Sequence, residues 1–157
     1  MKLIFIDDEQ TFLKYMAKRL VLDGFTVKTT FSGEEAVELA AKEDFDVAVV
    51  DLQMPGIDGI EVQKRLKKLQ PFLPCIVLTG HGSIENALES GKYNAFKFLS
   101  KPVDMDSLIK TINKAYEFRL EQEKLYSEVE KNAESENKDG RFKKAFNKFR
   151  KLYSVNK

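Results

Sequence analysis

The sequence predicts an α/β fold: a doubly wound, five-stranded parallel sheet with helices on both faces, followed by a C-terminal helical extension. Three observations predict it. Short apolar runs alternate with longer amphipathic ones over the first 120 residues. Three of the short runs, "KLIFI" (2–6), "DVAVV" (46–50) and "CIVLT" (75–79), are nearly continuous in apolar residues, as strands covered on both faces must be. The links between runs are short, and alternation with short links implies parallel strands joined by crossover helices.

The elements follow in order. The remaining two strands are expected at "TVKTT" (26–30) and "AFKFL" (95–99). The first helix, "TFLKYMAKRLVLDG", places Phe12, Leu13, Met16, Leu20 and Val21 on one face and ends at Asp23-Gly24. The second, "SGEEAVELAAKE", opens on Ser32 with acids in its first turn, which suits a helix N-terminus. The third, "GIEVQKRLKKLQP", sets Ile60, Leu66 and Leu69 near one stripe and stops before Pro71. "SIENALESGKYN" and "DMDSLIKTINKAYEF" complete the set, with Asp104 as N-cap of the last.

The totals exclude several classes. The chain has 157 residues, enough for one domain and a short extension. A formal net charge of +1 argues against a chain built as a whole to coat nucleic acid or membrane. The single cysteine, Cys75, forbids an intramolecular disulfide and suits a reducing compartment, so a cytoplasmic location is expected. Cys75 lies in "PCIVLT" and is expected as a small core residue. "MKLIFIDDE" has only four apolar residues before its acids, too short for a signal peptide or membrane span.

In open parallel sheets the ligand site lies beyond the carboxyl ends of the strands. Asp7 and Asp8 follow the first apolar run, Asp51 the third, and Lys101 the fifth; Thr79 ends the fourth. Burying an unpaired carboxylate is costly, so Asp51 either caps something locally or meets a cation. Three carboxylates so close cannot all stay ionised without a counter-charge. A hard divalent cation such as Mg2+ supplies one. With a fixed ammonium at Lys101 and a donor at Thr79, the site suits an anion bridging metal and ammonium, most naturally a phosphoryl group.

Over residues 1–120 the chain resembles the receiver domain of two-component response regulators, through "FIDDE", "VVDLQMPGIDG", "VLTGHG" and "FLSKP". "LTGHGSIENAL" is most similar to receivers of sigma-54-type activators. The expected sheet order is then the flavodoxin-like 2-1-3-4-5. The resemblance implies that Asp51 accepts a phosphoryl group from a sensor histidine kinase or phosphotransfer protein. It implies that Asp8, Asp51 and the carbonyl of Gln53 ligate Mg2+, with Asp7 acting mainly through water. Thr79 and Lys101 would bind the phosphoryl oxygens, and Phe98 matches the aromatic switch position or is a plain core aromatic. The Lys101–Pro102 bond is expected to be cis, Gly80 to leave room for the phosphoryl oxygens, and Gly59 to let the third helix start close by. His81 is either a solvated loop residue or tunes entry of water. Asn94, Gly91 and Lys97 depart from the family pattern near the fourth helix and fifth strand. The rival from the enzyme class is a Mg2+-dependent aspartyl-phosphate phosphohydrolase. Such enzymes want an acid two residues after the nucleophile, and Gln53 cannot protonate a leaving group. The chain is therefore expected as a phosphoacceptor module that assists its own phosphorylation and dephosphorylation, and not as a turnover enzyme.

Composition divides the chain into 1–120, an acidic helical linker 121–140 and a basic amphipathic helix 141–157. Residues 121–139 carry seven acids and three bases; residues 141–157 carry seven bases and no acid. The 37 residues after position 120 are too few for an ATPase module and show no helix-turn-helix pattern, so direct DNA binding is not expected. Leu108, Ile112, Ala115, Arg119, Gln122, Tyr126, Val129 and Ala133 follow a 4-3 spacing, which makes a homodimeric coiled coil a candidate. Phe142, Phe146, Phe149 and Tyr153 share one face among lysines and arginines. That face suits an acidic helix of this or another protein; a membrane surface and nucleic acid are the alternatives.

Overall fold

The computed structural model describes residues 1–80 and 95–135. Its strands are β1 (Lys2–Ile6), β2 (Thr26–Thr30), β3 (Val47–Asp51), β4 (Cys75–Thr79) and β5 (Lys97–Ser100). Helix α1 (Gln10–Leu22) joins β1 to β2, α2 (Gly33–Ala40) joins β2 to β3, and α3 (Gly59–Leu69) joins β3 to β4. A long helix, α4 (Met105–Ser135), follows β5. Every strand pairing is parallel and the order is β2-β1-β3-β4-β5, as expected, so the connections reverse direction between β1 and β3.

Strand alternation splits the core into two layers. Leu3 and Phe5, Val47 and Val49, and Ile76 and Leu78 face Leu13, Met16 and Leu20 of α1 and Leu108, Ile112 and Ala115 of α4. Ile4, Ile6, Ala48, Val50 and Cys75 face Ala36 and Ala40 of α2 and Val62 and Leu66 of α3. Each fully buried aliphatic side chain contributes about 1.5–3 kcal/mol, so β3 is fixed from both sides. Burial pushes the Cys75 thiol up to about 12, which makes it an inert core residue.

Local signals set the helix ends. Ser32 Oγ accepts the Glu35 N–H at 3.2 Å, Asp58 Oδ1 the Glu61 N–H at 2.9 Å, and Asp104 Oδ2 the Ser107 N–H at 2.8 Å. Helix α1 ends at Leu22 with Asp23 as its C-cap, and Gly24 follows at φ +89°.

Several expectations are corrected. Val21 is 54 % exposed, because it lies about 80° round the helix from Leu13, beyond the stripe through Met16 and Leu20. The buried stripe of α3 is Gly59, Val62, Gln63 and Leu66, whereas Ile60 is half-buried and Leu69 exposed. β3 starts and ends one residue later than expected, at Val47 and Asp51. Asp46 stays outside it because its carboxylate takes the Lys2 N–H and the Arg119 guanidinium. β5 starts at Lys97 instead of residue 95.

Helix α4 starts past the carboxyl end of β5 and crosses to the amino end of β3. There Arg119 donates to the Phe45 carbonyl, to Asp46 Oδ1 at 3.0 Å and to Glu123 Oε1 at 2.8 Å. Further on, the rings of Tyr126 and Phe72 meet edge-on at 5.4 Å. The stripe proposed as a coiled-coil seam is thus turned, at Leu108, Ile112, Ala115, Arg119 and Tyr126, against the chain's own sheet and loops. No described helix is long and apolar enough to cross a membrane. His81, the helix expected over residues 83–94 with Gly91 and Asn94, and the basic segment 141–157 lie outside the described residues.

Candidate functional site

Two strands end on charged or polar side chains at one edge of the sheet, and the chain just beyond two others delivers the rest. Asp7 follows β1 and is fully buried; its Oδ1 accepts the Glu9 N–H at 2.9 Å. Asp51 is the last residue of β3, paired in register with Leu78, and is 6 % exposed. Its Oδ1 accepts the Gln53 N–H at 3.2 Å, the local turn that an aspartate at a strand end allows. Lys101, one residue past β5, joins the two: Nζ is 2.7 Å from Asp7 Oδ2 and 2.8 Å from Asp51 Oδ2. Asp8 points to solvent at the same edge. Thr79, the last residue of β4, is buried, and its hydroxyl donates to the Gly80 carbonyl at 3.2 Å.

The electrostatics follow from this packing. Burial raises the Asp7 carboxyl above its usual range, and the bonds from Lys101 and Glu9 only partly offset that. Burial pulls the Lys101 ammonium down, yet the bonds and charges of Asp51 and Asp7 together outweigh it and hold the group above its ordinary value. The ammonium also sits 4.8 Å above the Phe12 ring centroid. It is therefore a permanent positive charge, braced from below by an aromatic face.

Carboxylate oxygens of Asp7, Asp8 and Asp51 all lie within 4.8 Å of one another. This donor set, hard oxygens with one residue open to water, fits a cation such as Mg2+, which keeps several waters and takes few carboxylates. The Gln53 residue beside Asp51 is exposed. The Lys101–Pro102 bond is cis, as expected. Beside Gly80 a methyl would meet none of the described residues within 4 Å. At Gly59 a methyl would fall on the Asp51 carbonyl oxygen and stand 2.9 Å from Leu52 Cα, so only glycine lets α3 start against the Asp51 strand. Phe98 is half-buried in β5, in register with Val77. Lys97 is exposed at the strand's start.

All of Asp7, Asp8, Asp51, Thr79 and Lys101 thus come to the carboxyl edge. Sequence reasoning missed Phe12 beneath the ammonium, and Glu34, whose carboxylate takes the Ile57 N–H on the loop after Asp51. Phe12 reads as a core residue and Glu34 as a helix-dipole partner, so neither announces itself.

An open doubly wound domain with an acidic cluster and a paired lysine beyond the carboxyl ends of its strands belongs to the α/β class that binds ligands at that edge. The response regulator receiver domain matches residues 3–113, and the chain belongs to that family. It is 38 % identical over 115 residues to the transcriptional regulatory protein GlrR of Escherichia coli (strain K12), covering 73 % of this chain and 26 % of that protein. It is 31 % identical over 118 residues to the DNA-binding transcriptional regulator NtrC of the same organism, covering 75 % and 25 %. The chain therefore spans about a quarter of the length of these curated relatives. Among solved structures, a response regulator receiver domain protein from Clostridium thermocellum superposes with a TM-score of 0.70 at 35 % identity, covering 79 % of this chain and 97 % of that one. NtrX from Brucella abortus gives 0.73 at 26 % identity, covering 79 % and 28 %.

Proposed function

We propose that the chain takes a phosphoryl group onto Asp51 from the phosphohistidine of a sensor histidine kinase or phosphotransfer protein, in a Mg2+-dependent reaction in the cytoplasm. The observation that carries this is the Lys101 ammonium bridging Asp7 and Asp51 beside a third carboxylate. An Asp51 carboxylate oxygen attacks phosphorus, the P–N bond breaks, and its electron pair returns to the imidazole. β3, packed on both faces, holds the nucleophile rigidly for in-line attack. Lys101 and the Thr79 hydroxyl meet the phosphoryl oxygens. Asp8, Asp51 and the Gln53 carbonyl would hold the cation, with Asp7 acting through water; bound there, it would supply charge neutralisation to the transferring group.

Once phosphorylated, Asp51 no longer offers Lys101 the same carboxylate. Thr79 turns toward the new oxygens, and Phe98 follows on the neighbouring strand. The partner-binding surface changes in this way, and its target is a protein. The relatives are transcriptional regulators, which supports a signalling role.

The test is intact mass after incubation with a small-molecule phosphodonor and Mg2+. One phosphoryl group should be gained, and Asp51→Asn should abolish the gain. Unchanged labelling of that variant, or sustained turnover of a phosphate ester, would sink the reading.

A further inference from the structure

Two adjacent glutamates open α2 and do different things. Glu35 stays local: its N–H donates to Ser32 Oγ, and its carboxylate accepts the Phe31 N–H at 3.1 Å, so it caps its own helix. Glu34 leaves its helix. Its Oε1 accepts the N–H of Ile57 at 3.2 Å, on the loop between β3 and α3. The same carboxylate lies against Gly56, where an added methyl would stand 2.9 Å from Oε1 and 3.3 Å from Oε2. Gly56 has φ +83°, so the chain at this point is shaped both by a left-handed residue and by the glutamate pressed on it. The two segments are held together below as well, because the space a methyl would take at Gly33 is filled by Val62 and Ile57.

The loop is pinned at its other end by Asp51 Oδ1, which accepts the Gln53 N–H, and by the Leu52 carbonyl, which accepts the Gly59 N–H at 3.1 Å. Between these anchors the chain has no regular structure of its own. Gln53 lies in that span, and its carbonyl is a backbone atom that moves with the loop.

We propose that Glu34 is a positioning residue for the cation site: by holding Ile57 and Gly56 it sets the loop that carries the Gln53 carbonyl. This rests on the receiver reading above. Mg2+ demands near-ideal octahedral geometry, so a small shift of one ligand weakens binding. Groups that orient ligands without touching the metal typically change affinity by about 10- to 100-fold. Glu34 is exposed and acts through several bonds, so about 3- to 10-fold is expected.

The experiment titrates MgCl2 into unaltered protein, Glu34→Ala and Glu34→Gln by calorimetry. Amide exchange at Ile57, thermal melting and Asp51 labelling are followed on the same samples. Glu34→Ala should bind Mg2+ about 3- to 10-fold more weakly and exchange faster at Ile57. It should melt as the unaltered protein does and label at the unaltered rate once Mg2+ saturates. Glu34→Gln keeps a side-chain carbonyl for Ile57 and should restore most of the affinity. Unchanged affinity in Glu34→Ala overturns the proposal. So does a Gln variant as weak as Ala, which would mean that charge and not the bond acts. Failure of the underlying reading is distinguishable, because the unaltered protein itself would then neither bind Mg2+ nor label.

Discussion

Asp7 is the costliest residue at the site. Its carboxyl is buried and sits above its ordinary 3.8, whereas Asp8 beside it is exposed and screened by water. A raised carboxyl binds its proton more tightly folded than unfolded. Between 3.8 and the folded value the native state therefore holds more protons, and stability falls as pH rises through that window. Asp7→Asn in metal-free protein should remove that loss and raise neutral-pH stability. Urea melts at pH 4 and pH 7, with Asp8→Ala as a control that changes little, measure it. A destabilised Asp7→Asn would mean that the bond to Lys101 outweighs the burial. Lys101 has the same sign, in a higher pH window. Its raised value gives a contribution fully present below 10.5 and lost as pH climbs past the folded value, so the fold should weaken in strong alkali.

At the scale of elements, the junction of β3 with α3 is packed backbone against backbone. The loop leaves Asp51, turns at Gly56 and returns so closely that Gly59 touches the strand's own backbone. Gly59→Ala must push α3 outward and should cost about 1–3 kcal/mol. It should also slow Asp51 labelling more than it alters the melting profile of the remaining sheet. Denaturant melts combined with labelling rates check this; wild-type labelling in a destabilised variant would separate the helix start from the nucleophile. Much of this was legible in advance. Asp7, Asp8, Asp51, Thr79 and Lys101 follow or end apolar runs, and a parallel sheet must bring such positions to one edge. Gly59 was legible as a close helix start. Val21 and Leu69 were misplaced because an apolar residue at a helix end can satisfy the pattern without meeting a partner. Glu34 and Arg119 were illegible in their roles. Their acceptors and donors lie 23 and more than 70 residues away in sequence, and nothing local in a charged helical residue signals which distant backbone group it will take.

For the whole molecule the open matter is how the domain carries its extension. Helix α4 reads both ends of the sheet: it starts just past Lys101 and passes the amino end of β3 at Arg119. Beyond Ala115 none of its described side chains is fully buried, though Tyr116 still packs on the core and Phe118 meets the Phe96 ring at 5.5 Å, and the segment from there to Ser135 is short enough to be marginal as an isolated helix in water. Arg119 and Tyr126 replace that core. The guanidinium takes the Phe45 carbonyl and Asp46 on one side and Glu123, one turn on, on the other; Tyr126 adds the Phe72 ring. Arg119→Met keeps most of the apolar stem but leaves the Phe45 carbonyl without its donor, a loss of about 1–3 kcal/mol. That loss should fall on the extension and not on the sheet. Hydrogen exchange of residues 120–131 should therefore accelerate several-fold in Arg119→Met, while residues 108–115, locked under β1, β3 and β4, keep their protection. Equal exchange in both proteins would show that Tyr126 alone, or helix propensity, holds the segment. Faster exchange throughout α4 would show instead that the helix melts as one unit, which would couple the extension directly to the elements that frame Asp51.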